Sequence, residues 1–192
     1  DRSRLVLAVA VGLVVLVLAG TAVLLADARR TPGRPSPAAT ATGDPAVQAR
    51  ALSALLDQAV RSRDVVAPTV AAVRACRAGD YAAARDRLVR AQQDRLAVQA
   101  RLATLDLSAL PEAALRRELA AAMQASADAD AAFAAWAGAV PAGGCTVNSG
   151  GPDYDRGVAA SQAATAAKER FVRVWNPVAS RFGLPQRQAF DI

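Results

Sequence analysis

The chain contains no histidine. That absence removes in one step the Glu-x-x-His di-iron bundle, the c-type haem attachment, the Ser-His-Asp triad and the usual zinc sites. Cysteine is scarce: Cys76 and Cys145 stand 69 positions apart, too far for a CxxC redox or zinc motif. Lysine is reduced to Lys168 alone, against 22 arginines. With abundant alanine, that bias marks high-GC coding and weakens any argument from arginine's special chemistry. A basic patch is missing too. The formal charge is +6, but five arginines and two aspartates before residue 44 supply +3, and residues 44–192 hold 18 basic and 15 acidic side chains. These are dispersed along helices, so the reading is a mixed surface and no nucleic-acid partner.

What is present begins with a charge-free run, Leu5 to Ala26, of 22 residues. At about 1.5 Å per residue a helix of that length spans about 33 Å, enough for a bilayer's hydrocarbon core. Residues 1–26 are therefore expected to be a retained transmembrane anchor, with the lipid bilayer as partner of Leu5 to Ala26. A cleaved signal peptide is the rival, since "ADA" at 26–28 has the A-x-A form, although an h-region is normally about 7 to 15 residues. No cysteine follows the run, so a lipoprotein anchor has no attachment point. Arg2 and Arg4 precede it while Arg29, Arg30 and Arg34 follow, so the basic flanks leave the orientation open. The cysteines decide it. Two of them suit one disulfide, disulfides persist outside the cytoplasm, and the expected location is the cell membrane, single-pass, with the C-terminal domain outside.

Residues 27–43, "DARRTPGRPSPAATATG", read as an extended stalk that cannot form a packed core. From residue 44 to 192 the pattern is helical throughout. Asp44-Pro45 opens a first helix whose stripe, from Leu52 to Cys76, keeps 3,4 spacing through Pro68; one kinked helix is expected, with a break near Arg63-Asp64 as the alternative. Gly79 ends it and Asp80 caps the second, which carries Ala84, Leu88, Ala91, Arg95, Val98 and Leu102. Arg95 is the misfit. It is expected to snorkel beside Leu96 in preference to a buried ion pair. The third helix runs from Pro111 to a stop by Gly138–Pro141. The fourth is expected from about Tyr154, capped by Asp153 or Asp155, with Ala164, Ala167, Phe171, Trp175 and Val178 inward and Thr165, Lys168 and Arg173 outward.

The fold class is thus all-α: a transmembrane helix, a Pro-rich stalk and an antiparallel up-down four-helix bundle. In that topology the ends of the first and third helices coincide, which brings the glycine-rich loop "PAGGCTVNSGG" beside Cys76. A Cys76–Cys145 disulfide is expected to tie that loop to the bundle.

Chemistry is thinly represented. Thr165 and Lys168 echo S-x-x-K without its serine or companion motifs. Asn148, Asp153 and Asp155 lack EF-hand spacing. Asp128 and Asp130, two apart, face different sides of a helix and cannot act as a carboxylate pair. No cofactor or metal is expected. Gln92, Arg95 and Ser126 near the seam are the one hint of a polar cleft. The segments "ASADADAAFAAW" and "AATAAKERFVRVWNPVASRFGLP", with Cys145 between them, resemble a group of actinobacterial membrane-anchored or secreted helical proteins. The resemblance transfers no activity to any residue.

The expected function is a non-enzymatic module that binds an envelope or membrane protein, with a small-ligand-binding sensor bundle as the alternative. In the tail "GLPQRQAFDI", Phe190 and Ile192 are expected to fold back over the bottom of the bundle; left exposed, they would instead be the partner contact.

Overall fold

The computed structural model describes residues 43–148 and 150–192. The expected anchor Leu5 to Ala26 and the stalk to residue 42 lie outside the described residues. Among the described residues no helix is long and apolar enough to cross a membrane.

Four helices, α1 (Pro45–Arg74), α2 (Tyr81–Thr104), α3 (Glu112–Gly143) and α4 (Pro152–Arg181), are followed by one 3-10 turn, Ala189–Asp191. Asp44 caps α1 by accepting from the amide of Ala46 at 2.8 Å, and Pro45 costs nothing at the first position because its N–H would be unpaired. Pro68 lies inside α1, which continues unbroken past Arg63-Asp64. After α1, Gly79 takes a left-handed φ of 66°, and Asp80 then accepts from the amide of Ala83 at 3.0 Å to cap α2.

Two boundaries differ from the sequence reading. Helix α3 passes through Pro141 to Gly143, since a proline in the last turn forfeits only the bond to the carbonyl four residues back. Helix α4 starts at Pro152 with Gly151 as its cap and no side-chain cap bond. Asp153 and Asp155 sit inside the first turn, where negative charge meets the positive end of the helix dipole, and Asp153 pairs with Arg156.

The helices alternate in direction. At one end Gln48 of α1 accepts from the amide of Ala109 (2.9 Å) and donates to Ser108 (3.2 Å), fastening the α2–α3 turn to the start of α1. At the other, Cys76 and Cys145 are joined in a disulfide with Cα atoms 5.8 Å apart. The amide of Asn148 adds a bond to the carbonyl of Arg74 at 2.9 Å, so the loop is pinned to the end of α1. Cys76 has a left-handed φ of 55°, unusual for a residue with a side chain.

The apolar core falls into two clusters. The first, at the α1 start, gathers Leu52, Leu56, Leu102, Leu115, Leu119, Phe171 and Trp175, with Leu105 and Phe182 at its margin. The second, at the disulfide end, gathers Val73, Leu88, Phe133, Trp136 and Val140, with Tyr154 packed on it. Tyr154 closes on Trp136 at 4.9 Å between ring centroids and on Phe133 at 5.8 Å. Gly157 permits this fit: a Cβ there would lie 2.6 Å from the Phe133 ring.

Candidate binding cleft between α1 and α4

The two apolar clusters are separated by a layer of polar side chains. Arg95 of α2, Asp130 and Ser126 of α3 and Lys168 of α4 are all buried there. Each occupies a seam position of its helix: Ser126 and Asp130 lie four and three residues either side of one another and Phe133, and Lys168 lies four beyond Ala164 and three before Phe171. Because the neighbouring seam residues are small, alanine above all, the long polar side chains reach inward at that level.

Arg95 is 3% exposed, so it does not snorkel; the buried ion pair is what forms. Its Nη1 donates to the carbonyl of Ala59 on α1 at 2.8 Å, and its Nε stands 3.7 Å from Asp130 Oδ2. That separation exceeds a hydrogen bond, and Arg95 Nε, Asp130 Oδ2 and Ser126 Oγ are all buried without a partner. Leaving a buried polar group unpaired costs about 1–3 kcal/mol, so each of these three atoms weighs against the fold.

The protonation behaviour follows from burial. Desolvation raises the Asp130 carboxyl to about 6 against the pull of Arg95 and Lys168. Desolvation, reinforced by the positive charges of Arg95 and Arg63, lowers the Lys168 ammonium to about 8, with Asp130 opposing. The Arg95 guanidinium is also lowered, again chiefly by burial. Three cationic groups (Arg63, Arg95 and Lys168) thus surround one carboxylate.

These groups face a cleft because the seam between α1 and α4 is left open. Helix α1 packs on α2, α2 on α3 and α3 on α4, but α1 and α4 scarcely meet. The lower half of their seam is bridged by the C-terminal segment. Trp175 Nε1 donates to the Pro185 carbonyl at 3.3 Å. Asn176 holds the backbone of Arg187 from both sides, donating to its carbonyl at 3.0 Å and accepting from its amide at 2.9 Å. The Arg187 guanidinium then pairs with Asp57 of α1. Ile192 is fully buried in the first apolar cluster, which makes it a core residue and leaves it no surface for a partner. Phe190 stays 55% exposed, with the Arg63 guanidinium 5.7 Å above its ring.

Above that contact the seam is open among the described residues. A cleft of about 170 Å³ is lined by Arg63, Arg95, Ser126, Asp130, Thr165 and Lys168. It adjoins a wider groove of about 520 Å³ walled by Val66, Val70, Ala71, Phe133 and Tyr154, with Val66, Ala67 and Ser161 common to both. Arg74, stacked on Tyr154 at 5.3 Å, closes the far end. Grooves of similar volume along α3/α4 and α1/α2 have no unpaired buried polar group on their floors.

Of the residues singled out by sequence, Arg95 and Ser126 meet in the cleft, whereas Gln92 is half-buried and does not line it. Asp128 is exposed and Asp130 buried, as their spacing requires. Lys168 was expected to point outward and instead joins the layer. The signal for it was its 3,4 relation to Ala164 and Phe171, in register with the misfits Arg95 and Asp130. The Thr165 hydroxyl donates to the Ser161 carbonyl at 3.0 Å, and Ser126 Oγ bonds to no base, so this geometry assembles no nucleophile pair. A site with cationic donors, an apolar wall and no activated nucleophile is equipped to hold a molecule. No family model, curated protein or solved structure matches the chain.

Proposed function

We propose that the chain is a membrane-anchored, extracytoplasmic helical bundle that binds a component of the cell envelope in the α1/α4 groove without transforming it. The anchor and location rest on the charge-free run Leu5 to Ala26 and on the Cys76–Cys145 disulfide, a bond that persists outside the cytoplasm. The observation that carries the binding reading is the open cleft lined by Arg63 and Lys168 and backed by the buried polar layer of Arg95, Asp130 and Ser126. Phe190, exposed beside Arg63 at the mouth of the cleft, supports a second reading in which a neighbouring membrane protein docks there.

Photo-crosslinking in the native membrane tests the proposal. A photoreactive side chain at Ala71, on the groove wall, is expected to capture an adduct of defined mass. The same group at Ala100, on the exposed face of α2, is expected to capture none. Crosslinks confined to Phe190 and its surroundings would favour the docking reading. Absence of any adduct from the group placed at Ala71 and from the group placed at Phe190 would overturn both.

A further inference from the structure

We infer that the occupant of the groove is a small amphipathic carboxylate, its anionic end on Lys168 and Arg63 and its apolar body along Val66, Val70, Phe133 and Tyr154. The inference rests on the binding reading above and assigns the chemistry of the ligand.

Charge sets the head group. The cleft places Arg63, Arg95 and Lys168 around Asp130, an excess of positive charge in a partly desolvated space. Arg95 is committed, through Nη1 to the Ala59 carbonyl and through its charge to Asp130. Lys168 pairs with no carboxylate within ion-pair distance among the described residues, and its Nζ is not among the atoms sealed from the cleft. Arg63 lines the same space and is exposed. A carboxylate between Lys168 and Arg63 takes two charged donors, the pattern of a charge-assisted anion site. It also reverses the local balance that lowers Lys168, because a negative group nearby favours the ammonium form. A dianion would bring a second negative charge close to the Asp130 carboxylate, which belongs to the cleft lining.

The wall sets the tail. From Arg63 to Arg74 the groove follows α1 for about 16 Å, and its sides above the cleft are valine, alanine and aromatic rings. The molecule already shows how apolar matter is held in this seam: in the lower half the C-terminal segment lies between α1 and α4 and buries Ile192. The upper half offers the same kind of slot, with cationic groups at its floor.

Lys168 supplies a direct readout, because it is the chain's one lysine. Labelling with 13Cε-lysine gives a single side-chain resonance in the intact chain, reconstituted in nanodiscs. Titration with hexanoate is expected to shift that resonance saturably and to raise the Lys168 pKa above its starting value. Hexylammonium and hexanol are expected to leave it unmoved. Acetate, with the head group but no apolar body, is expected to bind at least about tenfold more weakly, since each buried methylene contributes about 0.8 kcal/mol. Val70→Trp, which fills the groove with an uncharged ring, is expected to abolish the hexanoate response. A saturable response to hexylammonium instead would refute the carboxylate and leave the groove as a binding site. Equal binding of acetate and hexanoate would refute the apolar half. No response to any probe would refute the inference, whereas the crosslinking at Ala71 tests the binding reading separately.

Discussion

Replacing Arg95, Asp130 and Lys168 together by apolar residues of similar length, as in Arg95→Met/Asp130→Leu/Lys168→Met, should stabilise the protein. The reasoning starts from burial: the three side chains are 3%, 3% and 9% exposed. Asp130 is pushed from 3.8 to about 6 and Lys168 from 10.5 to about 8. At about 1.4 kcal/mol per pH unit, each displacement corresponds to roughly 3 kcal/mol of cost in holding the charge at neutral pH. Arg95 Nε and Asp130 Oδ2 add two unpaired groups. Against this, the shorter methionines enlarge a cleft of about 170 Å³ and forfeit some packing, and the bond from Arg95 to the Ala59 carbonyl is lost. Buried ionic layers exchanged for apolar ones are neutral to about 1–4 kcal/mol more stable, and a gain of about 1–3 kcal/mol is expected here. Asp130→Ala alone should cost about 3–5 kcal/mol, because it strands the cations without their counter-charge. Urea unfolding of the full chain at pH 7, followed by far-UV circular dichroism, measures both. A triple variant less stable than wild type by more than about 1 kcal/mol would show that the layer holds the fold together, and the need for a ligand to explain it would vanish.

The same groups predict a pH profile. Asp130, with its folded pKa raised, contributes stability below about pH 4 that is lost as pH rises to about 6; Lys168, with its pKa lowered, makes the fold regain stability from about pH 8 to 10.5. The difference between wild type and the triple variant, measured by denaturant unfolding from pH 4 to 10.5, should therefore be largest between pH 6 and 8, and a flat difference would contradict the assigned burial. Trp175→Ala, which removes a fully buried ring, should cost about 3–5 kcal/mol in the same assay, and a loss under about 1 kcal/mol would contradict its place in the core. Gly157→Ala, whose new methyl would meet the Phe133 ring at 2.6 Å, should cost about 1–3 kcal/mol, and a neutral result would show that the ring gives way. Cys76→Ser/Cys145→Ser opens a loop of about 70 residues and should cost up to about 4 kcal/mol in the chain-entropy account, read as a fall in the urea midpoint.

The helices, their order and the disulfide were legible because each rests on a local signal. Asp44-Pro45, Gly79-Asp80 and Pro111-Glu112 mark ends by backbone chemistry, and the 3,4 spacing of Leu, Phe and Trp marks the faces. The polar layer was half legible. Arg95 and Ser126 stood out in their stripes, but an arginine on a seam reads equally as a snorkelling side chain, and only the partner at Asp130 decides between the two. Lys168 was assigned to the outer face because a lysine among alanines is ordinarily solvated. What buries it is the layer it joins with Arg95, Ser126 and Asp130 of the neighbouring helices, a tertiary property. The fold-back of the tail was expected, but its course along the α1/α4 seam was hidden, since Pro185, Gln186 and Arg187 carry no helical or strand pattern. It depends on Asn176 and Trp175 presenting side chains to the backbone of the tail.

The central claim, that the α1/α4 groove holds a molecule, is tested most directly by native mass spectrometry of the chain gently extracted from its own membrane. Wild type is expected to carry a non-covalent mass that is released on denaturation. Ala67→Trp, which places an indole where cleft and groove meet, is expected to lack that mass while keeping the wild-type helical circular dichroism. Identical spectra for the two, with bare protein in both, would contradict the account.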